Sequence, residues 1–354
     1  MVFFLLILLA VAVAGARPCR PGEFNTDYLD KKNTTAVNGI FVVLVLFSHY
    51  VQYADFGGPF DMPYLTLRQH LGQMVVATFL FYSGYGMMEA IRRKGDGYVR
   101  KILSKFWQLL FRFDLAVLLY LAVNQILDIH FPLREVLLAF TTWTVIGNSN
   151  WYITAVLILY VIMYISFRIC LSGEADADAK KRYAGIALTF ILTVAAACIQ
   201  ILIGRPEYCY NTMLLLPFGC LYSEARPKIE SFVMRSDIVY LLTLTAAAGI
   251  YVTAYHFRKA AGLLSYTLLG VAFIALVLLV TMKLRVYNRV LEWLGRHIFG
   301  IYILQRLPMT VLGQLGLIED HKYMSLIAVM AATFIMAALF QKYTEKLIRV
   351  MTRG

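Results

Sequence analysis

The sequence predicts an all-α protein that crosses a membrane many times. Of its 354 residues, 60% are hydrophobic and only 15% are charged, a composition unlike that of a soluble globular protein. Apolar stretches of about 20 residues, the length a helix needs to cross a bilayer, recur along the whole chain. Because no polar stretch is long enough to form a soluble domain, we predict a single membrane domain over residues 1–354.

The apolar stretches predict about ten transmembrane helices. They lie at about residues 36–53, 70–91, 104–127, 150–171, 184–204, 211–223, 238–257, 262–282, 297–316 and 324–344. Residues 133–147 are too short to span comfortably and predict a re-entrant or outer-face helix. The apolar residues 2–16 are either an extra N-terminal helix or a removed or misassigned start.

Positive charge is concentrated between alternate apolar stretches. The basic segments are 92–101, 172–183, 224–237, 283–296 and the tail after Lys342. The positive-inside rule places all of them in the cytoplasm, with both ends of the ten-helix core, and puts the segments near Gly57 and His321 outside. Since this bias accounts for the net charge of +12, we expect no nucleic-acid partner. We expect a protein of the cell membrane.

His49 is the leading candidate for chemistry. It lies near the end of the first predicted span, where an ionisable group is costly and usually marks a transport path or a reaction centre. Histidine also accepts and returns a proton near neutral pH. Asn38, His49 and Gln52 share one helical face. The alternative is a histidine hydrogen-bonded to a neighbouring helix for packing, and the residues alone favour neither reading.

Other polar residues lie within predicted spans. Ser83 belongs to a small-residue stretch that favours close helix packing and offers a hydroxyl. Arg112 and Asp114 are two residues apart, so they cannot face each other on a helix and each needs its own partner. Arg306 lies two residues before Pro308, which loosens a helix and favours a cavity there. A structural role for each charge is the alternative.

The basic run after the second span predicts an anion site. Cations at a helix start can hold the phosphates of a ligand, and the residues assigned to this role are Arg93, Arg100, Lys101 and Lys105. The alternative is that these basic residues only set the membrane topology and bind no ligand.

Several segments together resemble the acyltransferase 3 family of integral membrane acyltransferases. The resemblance extends over about residues 30–345 and depends on order and spacing. The segments that carry it are Asn38–Gly39, Ser48–His49, Phe79–Gly84, Tyr98–Lys105, Trp151–Tyr152 and Ile301–Leu304. The family's ten-helix core agrees with the spans predicted here.

The resemblance implies an O-acyltransferase that moves an acyl group, usually acetyl, from cytoplasmic acyl-CoA to a hydroxyl of an extracytoplasmic or lipid-linked surface glycan. It implies no metal. The family's essential histidine corresponds to His49, and we expect Arg112, Arg306 or Ser83 to stabilise the negative charge of the transition state. The residues expected to bind substrate are Asn38, Trp151, Tyr152 and Tyr302.

Two positions depart from the family pattern. The family's arginine eleven residues before the histidine is Asn38 here, with Lys31 or Lys32 as nearby cations, and a histidine often found after the late Ile-Tyr motif is Gln305. These departures indicate a divergent subfamily.

Two other functions stay open. A secondary transporter would use His49 and the buried charges as a pathway and predicts two similar halves with broken helices. The third candidate is a non-catalytic partner in surface-polysaccharide assembly, which would not use acyl-CoA.

Overall fold

The computed structural model describes residues 1–171, 178–258, 260 and 262–353, most of them helical. Part of the predicted basic segment 172–183, residues 172–177, lies outside the described residues. The helices are α1 (Val2–Ala14), α2 (Lys31–Tyr50), α3 (Met62–Leu71), α4 (Met74–Lys94), α5 (Asp96–Ile126), α6 (Leu133–Ala139), α7 (Trp151–Leu171), α8 (Ala179–Leu202), α9 (Leu215–Val233), α10 (Asp237–His256), α11 (Leu263–Lys283), α12 (Arg289–Arg296), α13 (Ile298–Leu304), α14 (Arg306–Gln314), α15 (Leu317–Asp320) and α16 (Lys322–Arg353). A two-stranded antiparallel ribbon pairs β1 (Ala16–Pro18) with β2 (Leu284–Val286).

Within the described residues, eight helices are long and apolar enough to cross a membrane: α2, α4, α5, α7, α8, α10, α11 and α16. This confirms the prediction of an all-α polytopic membrane protein, but the predicted count of ten is not confirmed. The span predicted at 211–223 is displaced, because α9 starts at Leu215 and continues through the charged residues Glu224 and Arg226 to Val233.

The span predicted at 297–316 consists of two short helices, α13 and α14, joined at Gln305. Pro308 has no N–H to donate to the Leu304 carbonyl, so the helical ladder is interrupted here. The carbonyl of Ile303, one residue earlier, accepts a hydrogen bond of 2.9 Å from the Tyr120 hydroxyl of α5. The loosening predicted from Pro308 is therefore present in the structure.

The predicted basic loop 92–101 is almost entirely helical. Helix α4 continues to Lys94 and α5 begins at Asp96, so Gly95 alone reverses the chain. Its φ of +50° is a conformation that glycine adopts at little cost. The basic residues consequently lie on two helix ends whose backbone is regular.

The two ends of the bundle are marked by different contacts. At one end, α2 finishes beside the start of α16, where the Tyr50 hydroxyl donates to the Lys322 carbonyl at 2.5 Å. At the opposite end, α4 finishes beside α9, where Arg92 contacts Glu224 at 3.3 Å. We call these the His49 end and the basic end.

Short helices border the His49 end. Helix α3 was not predicted as a separate element, and Gly72, with a φ of +45°, separates it from α4. The predicted re-entrant or outer helix is α6, and it is followed by an irregular polar stretch at 140–150 that leads into α7. Helix α1 packs against α2 and its neighbours, with Phe4 on Phe47 and with the Val11 carbonyl accepting from the Asn288 side chain at 2.7 Å.

Glycines bring two pairs of helices into backbone contact. A methyl group on Gly84 would overlap the carbonyl oxygen of Leu216, and one on Gly219 would overlap that of Phe81, so α4 and α9 touch through their main chains. The close packing predicted for the Ser83–Gly84 stretch is therefore confirmed. Helices α2 and α12 meet in the same way at Gly39 and Gly295.

We expect Gly84→Ala to destabilise the fold, because the added methyl group forces α4 away from α9, and overpacking of this kind costs about 1–3 kcal/mol. Gly86→Ala is the matched control, since a Cβ there meets nothing within 4 Å. Thermal unfolding of the purified protein in detergent compares the two. Equal unfolding midpoints for both variants would contradict the packing argument.

Candidate functional site

His49 lies in the last turn of α2 and faces Tyr302 of α13, with 6.3 Å between the ring centroids. Its Nδ1 is buried and has no hydrogen-bond partner within the described residues. If His49 served only to pack helices together, its ring would be hydrogen-bonded to a neighbouring helix. Within the described residues, Nδ1 makes no hydrogen bond of this kind. The ring nitrogen is therefore free to bind a ligand.

Two arginines lie close enough for their charges to act on the imidazole. Arg306 of α14 and Arg68 of α3 are the charged side chains whose electrostatic field acts on His49. The Nη2 of Arg306 donates to the Gln52 side chain at 3.0 Å, and the Nε of Arg68 donates to the Ser48 hydroxyl at 3.0 Å. Both guanidinium groups are thus held against the C-terminal end of α2. In a region of low dielectric, such fixed cations strongly stabilise a nearby negative charge.

An aromatic wall adjoins His49. The Tyr302 hydroxyl lies 3.2 Å from the Ser149 hydroxyl, and its ring centroid lies 5.5 Å from that of Tyr152. Trp151 contacts Tyr152 in turn, so three of the residues predicted to bind substrate form one surface. This surface joins α7 to the broken helix α13–α14.

A second polar group lies farther toward the basic end. Ser83 of α4 lies close to Tyr160 of α7, on which the charge of Lys105 also acts. Lys105 donates to the Tyr98 hydroxyl at 2.6 Å. We call these four residues the Lys105 cluster. The structure therefore places Ser83 with a predicted phosphate-binding residue, although it was expected to act beside His49.

The remaining predicted phosphate-binding residues are exposed at the basic end. Arg100 pairs with Asp96 at 2.8 Å, and Arg93 donates to the carbonyl of Glu89 at 3.1 Å. The side chain of Lys101 is exposed to solvent. These three cations and Lys105 lie on the adjoining ends of α4 and α5.

Arg112 lies apart from both groups. It faces α16, where Glu345 is the carboxylate whose field acts on it. Asp114 does not pair with Arg112, as predicted from their spacing, and its Oδ1 is buried with no hydrogen-bond partner in the described part of the chain. Of the three residues expected to stabilise charge near His49, the structure brings Arg306 to it.

A family model of an acyltransferase domain matches residues 35–341, nearly the whole chain. The chain belongs to the acyltransferase 3 family. The resemblance found in the sequence is thereby confirmed, and the protein is a membrane acyltransferase. No curated protein and no solved structure gives a significant match to it.

The two departures from the family pattern have definite places in this acyltransferase. Asn38 lies eleven residues before His49 on α2, about 16 Å along the helix, and its Oδ1 is buried without a partner within the described residues. Gln305 is fully buried at the helix break, and its Nε2 donates to the Tyr302 carbonyl at 2.9 Å. Gln305 consequently supports the aromatic wall.

Sequence reasoning missed two members of the site. Arg68 lies between the spans predicted at 36–53 and 70–91, and nothing in its local sequence indicates that α3 folds over the end of α2. Ser149 belongs to the small polar residues directly before Trp151, and that adjacency was an available signal.

We expect Arg306→Gln to lower acyltransferase activity by about 10²–10³-fold, the usual loss when one donor to a developing oxyanion is removed. Arg112→Gln is the matched control, because that side chain faces Glu345 on α16. Activity is measured in membranes that contain equal amounts of each variant. Equal losses in the two variants would contradict the separate positions of these arginines.

Proposed function

We propose that this acyltransferase moves an acyl group, most simply acetyl, from acyl-CoA to a hydroxyl of an extracytoplasmic or lipid-linked surface glycan. One observation carries the proposal. At one end of the bundle, the charges of Arg306 and Arg68 act on a buried imidazole whose Nδ1 has no partner within the described residues. Exposed cations lie at the other end. This separation suits a long donor whose anionic part and reacting carbon bind far apart.

The reaction follows from the chemistry of these groups. His49 takes the proton of the acceptor hydroxyl while the hydroxyl oxygen attacks the thioester carbonyl carbon. The carbonyl oxygen becomes an oxyanion, which the positive charges of Arg306 and Arg68 stabilise. The oxyanion then re-forms the carbonyl as the C–S bond breaks, the new C–O ester bond remains, and the CoA sulfur takes the proton from His49 and leaves as the free thiol. A covalent acyl-histidine is the alternative path to the same products.

The donor is held along the bundle in this proposal. Its phosphates pair with Arg93, Arg100 and Lys101, and the Lys105 cluster offers hydroxyls to the amide-containing arm that connects the phosphates to the thioester. The positive-inside rule supports a cytoplasmic basic end and C-terminus, with the His49 end outside. Acyl groups would therefore move from the cytoplasm outward.

The break between α13 and α14 favours the transporter as a second candidate, since transporters bind substrate at interrupted helices. Purified protein in lipid vesicles distinguishes the candidates. A transferase releases free CoA thiol from acyl-CoA when supplied with glycan-containing membranes. A transporter accumulates substrate without releasing CoA, and a non-catalytic assembly partner does neither.

We expect His49→Gln to lower CoA release by about 10²–10⁴-fold, because a positioned general base contributes that much. His70→Gln is the control. It makes the same change at the same end of the bundle, where His70 stacks on Tyr255 at 4.6 Å outside the site. Both variants should insert and unfold like the wild type. Wild-type turnover in His49→Gln would disprove the proposed role of His49.

Neutralising Arg100 and Lys101 together to Gln should raise the KM for acyl-CoA about three- to tenfold, since exposed ion pairs are individually weak. The kcat should change little, because neither residue reaches the reacting carbon. The effect should shrink at high salt, which screens exposed charges.

Lys342→Gln combined with Lys346→Gln is the control for this variant. It removes the same charge from exposed positions near the end of α16. If the two double variants raise KM equally, the basic residues of α5 attract the donor only through overall charge, and the assigned binding site is wrong.

A further inference from the structure

The irregular stretch at 140–150 is held in place by asparagine side chains. The Nδ2 of Asn150 donates to the carbonyls of Thr142 and Thr144 at 2.6 and 2.7 Å. The Nδ2 of Asn124, on α5, donates to the Ile146 carbonyl at 2.8 Å. Irregular backbone at membrane depth is tolerated where such bonds satisfy its carbonyls. The side-chain amide N–H groups of Asn124 and Asn150 are therefore used to hold the loop.

Asn148 is bonded differently. Its Oδ1 accepts a hydrogen bond of 3.1 Å from the Ile146 backbone N–H. Because an N–H can only donate, this bond fixes which end of the amide is oxygen. Asn148 is 4% exposed, and its Nδ2 is buried with no hydrogen-bond partner within the described residues. Burying an amide donor without a partner costs about 1–3 kcal/mol. A side chain needed only to hold the loop would not require this donor.

Asn148 is the chain neighbour of a residue in the aromatic wall. It precedes Ser149, whose hydroxyl contacts the Tyr302 hydroxyl at 3.2 Å, and Tyr302 faces His49. At the same end of the bundle, the Nδ1 of His49 and the Nε of Arg306 are likewise buried and unpartnered within the described residues. Unpartnered polar atoms of a base, a cation and a neutral donor therefore gather at the His49 end.

We infer that the side-chain amide of Asn148 donates a hydrogen bond to the acyl carbonyl oxygen as it becomes an oxyanion. This role rests on the proposed function and adds a neutral donor to the positive charges of Arg306 and Arg68. A neutral donor on a loop held by hydrogen bonds is preorganised, so it does not reorient as charge develops. Asn148 has a second role through its oxygen, which keeps the loop in this conformation.

Asn148→Asp tests the donor separately from the loop. The substitution keeps oxygens that accept from the Ile146 N–H and removes the N–H group that would bind the oxyanion. We expect the kcat for CoA release to fall about 10²–10³-fold, with little change in the KM for acyl-CoA and in thermal unfolding. Asn150→Asp is the matched control, equally buried, whose N–H groups bind loop carbonyls. It should lower the unfolding temperature.

The outcomes separate this inference from the proposed function. A wild-type protein that releases no CoA would overturn the proposed function itself. An active wild type with Asn148→Asp within twofold of its kcat would overturn the role of Asn148 alone. If the introduced carboxyl prevents folding, Asn148→Ala replaces it, and its correctly folded fraction should show the same loss of kcat. Retained kcat in that fraction also overturns the inference.

Discussion

Inside a bilayer, no water is present to hydrogen-bond a peptide group, so the protein must provide every partner itself. Helices meet this requirement for most of the chain. Where the backbone is irregular, side chains supply the bonds: Asn124 and Asn150 bind the carbonyls of the stretch at 140–150, and Tyr120 binds the carbonyl of Ile303 at the break between α13 and α14. Both irregular segments adjoin His49.

The same constraint explains why unpartnered polar atoms are informative. In the described part of the chain, His49, Arg306 and Asn148 each have a buried polar atom without a bond, while their neighbours Ser48, Gln52 and Ser149 are bonded. A free donor or base in a region of low dielectric is costly, and it interacts strongly with a charge that forms there. These unpartnered atoms are therefore costly to bury and suited to bind a charge that forms beside them.

The sequence predicted much of this. The composition and the repeated apolar stretches indicated a helical membrane protein, and the order of weak motifs identified the family. His49 and Arg306 were selected because a polar residue in a span is conspicuous against its apolar surroundings. Tyr302 and the Trp151–Tyr152 pair were selected from the family resemblance. Helix boundaries were harder. Gly95 alone reverses the chain between α4 and α5. The basic residues on either side of it had predicted a longer loop over residues 92–101.

What the sequence determined by itself is the class of protein, the family and a candidate residue for proton transfer, since each depends on local composition or on the order and spacing of residues along the chain. Only the tertiary structure decided which charges meet. Arg112 and Arg306 are both arginines within apolar stretches, yet one faces Glu345 and the other faces His49. Arg68 and Asn148 come from segments in which the sequence predicts no transmembrane helix. Their places depend on how α3 and the stretch at 140–150 fold over the end of α2, and contacts between distant segments leave no periodic signal in either one.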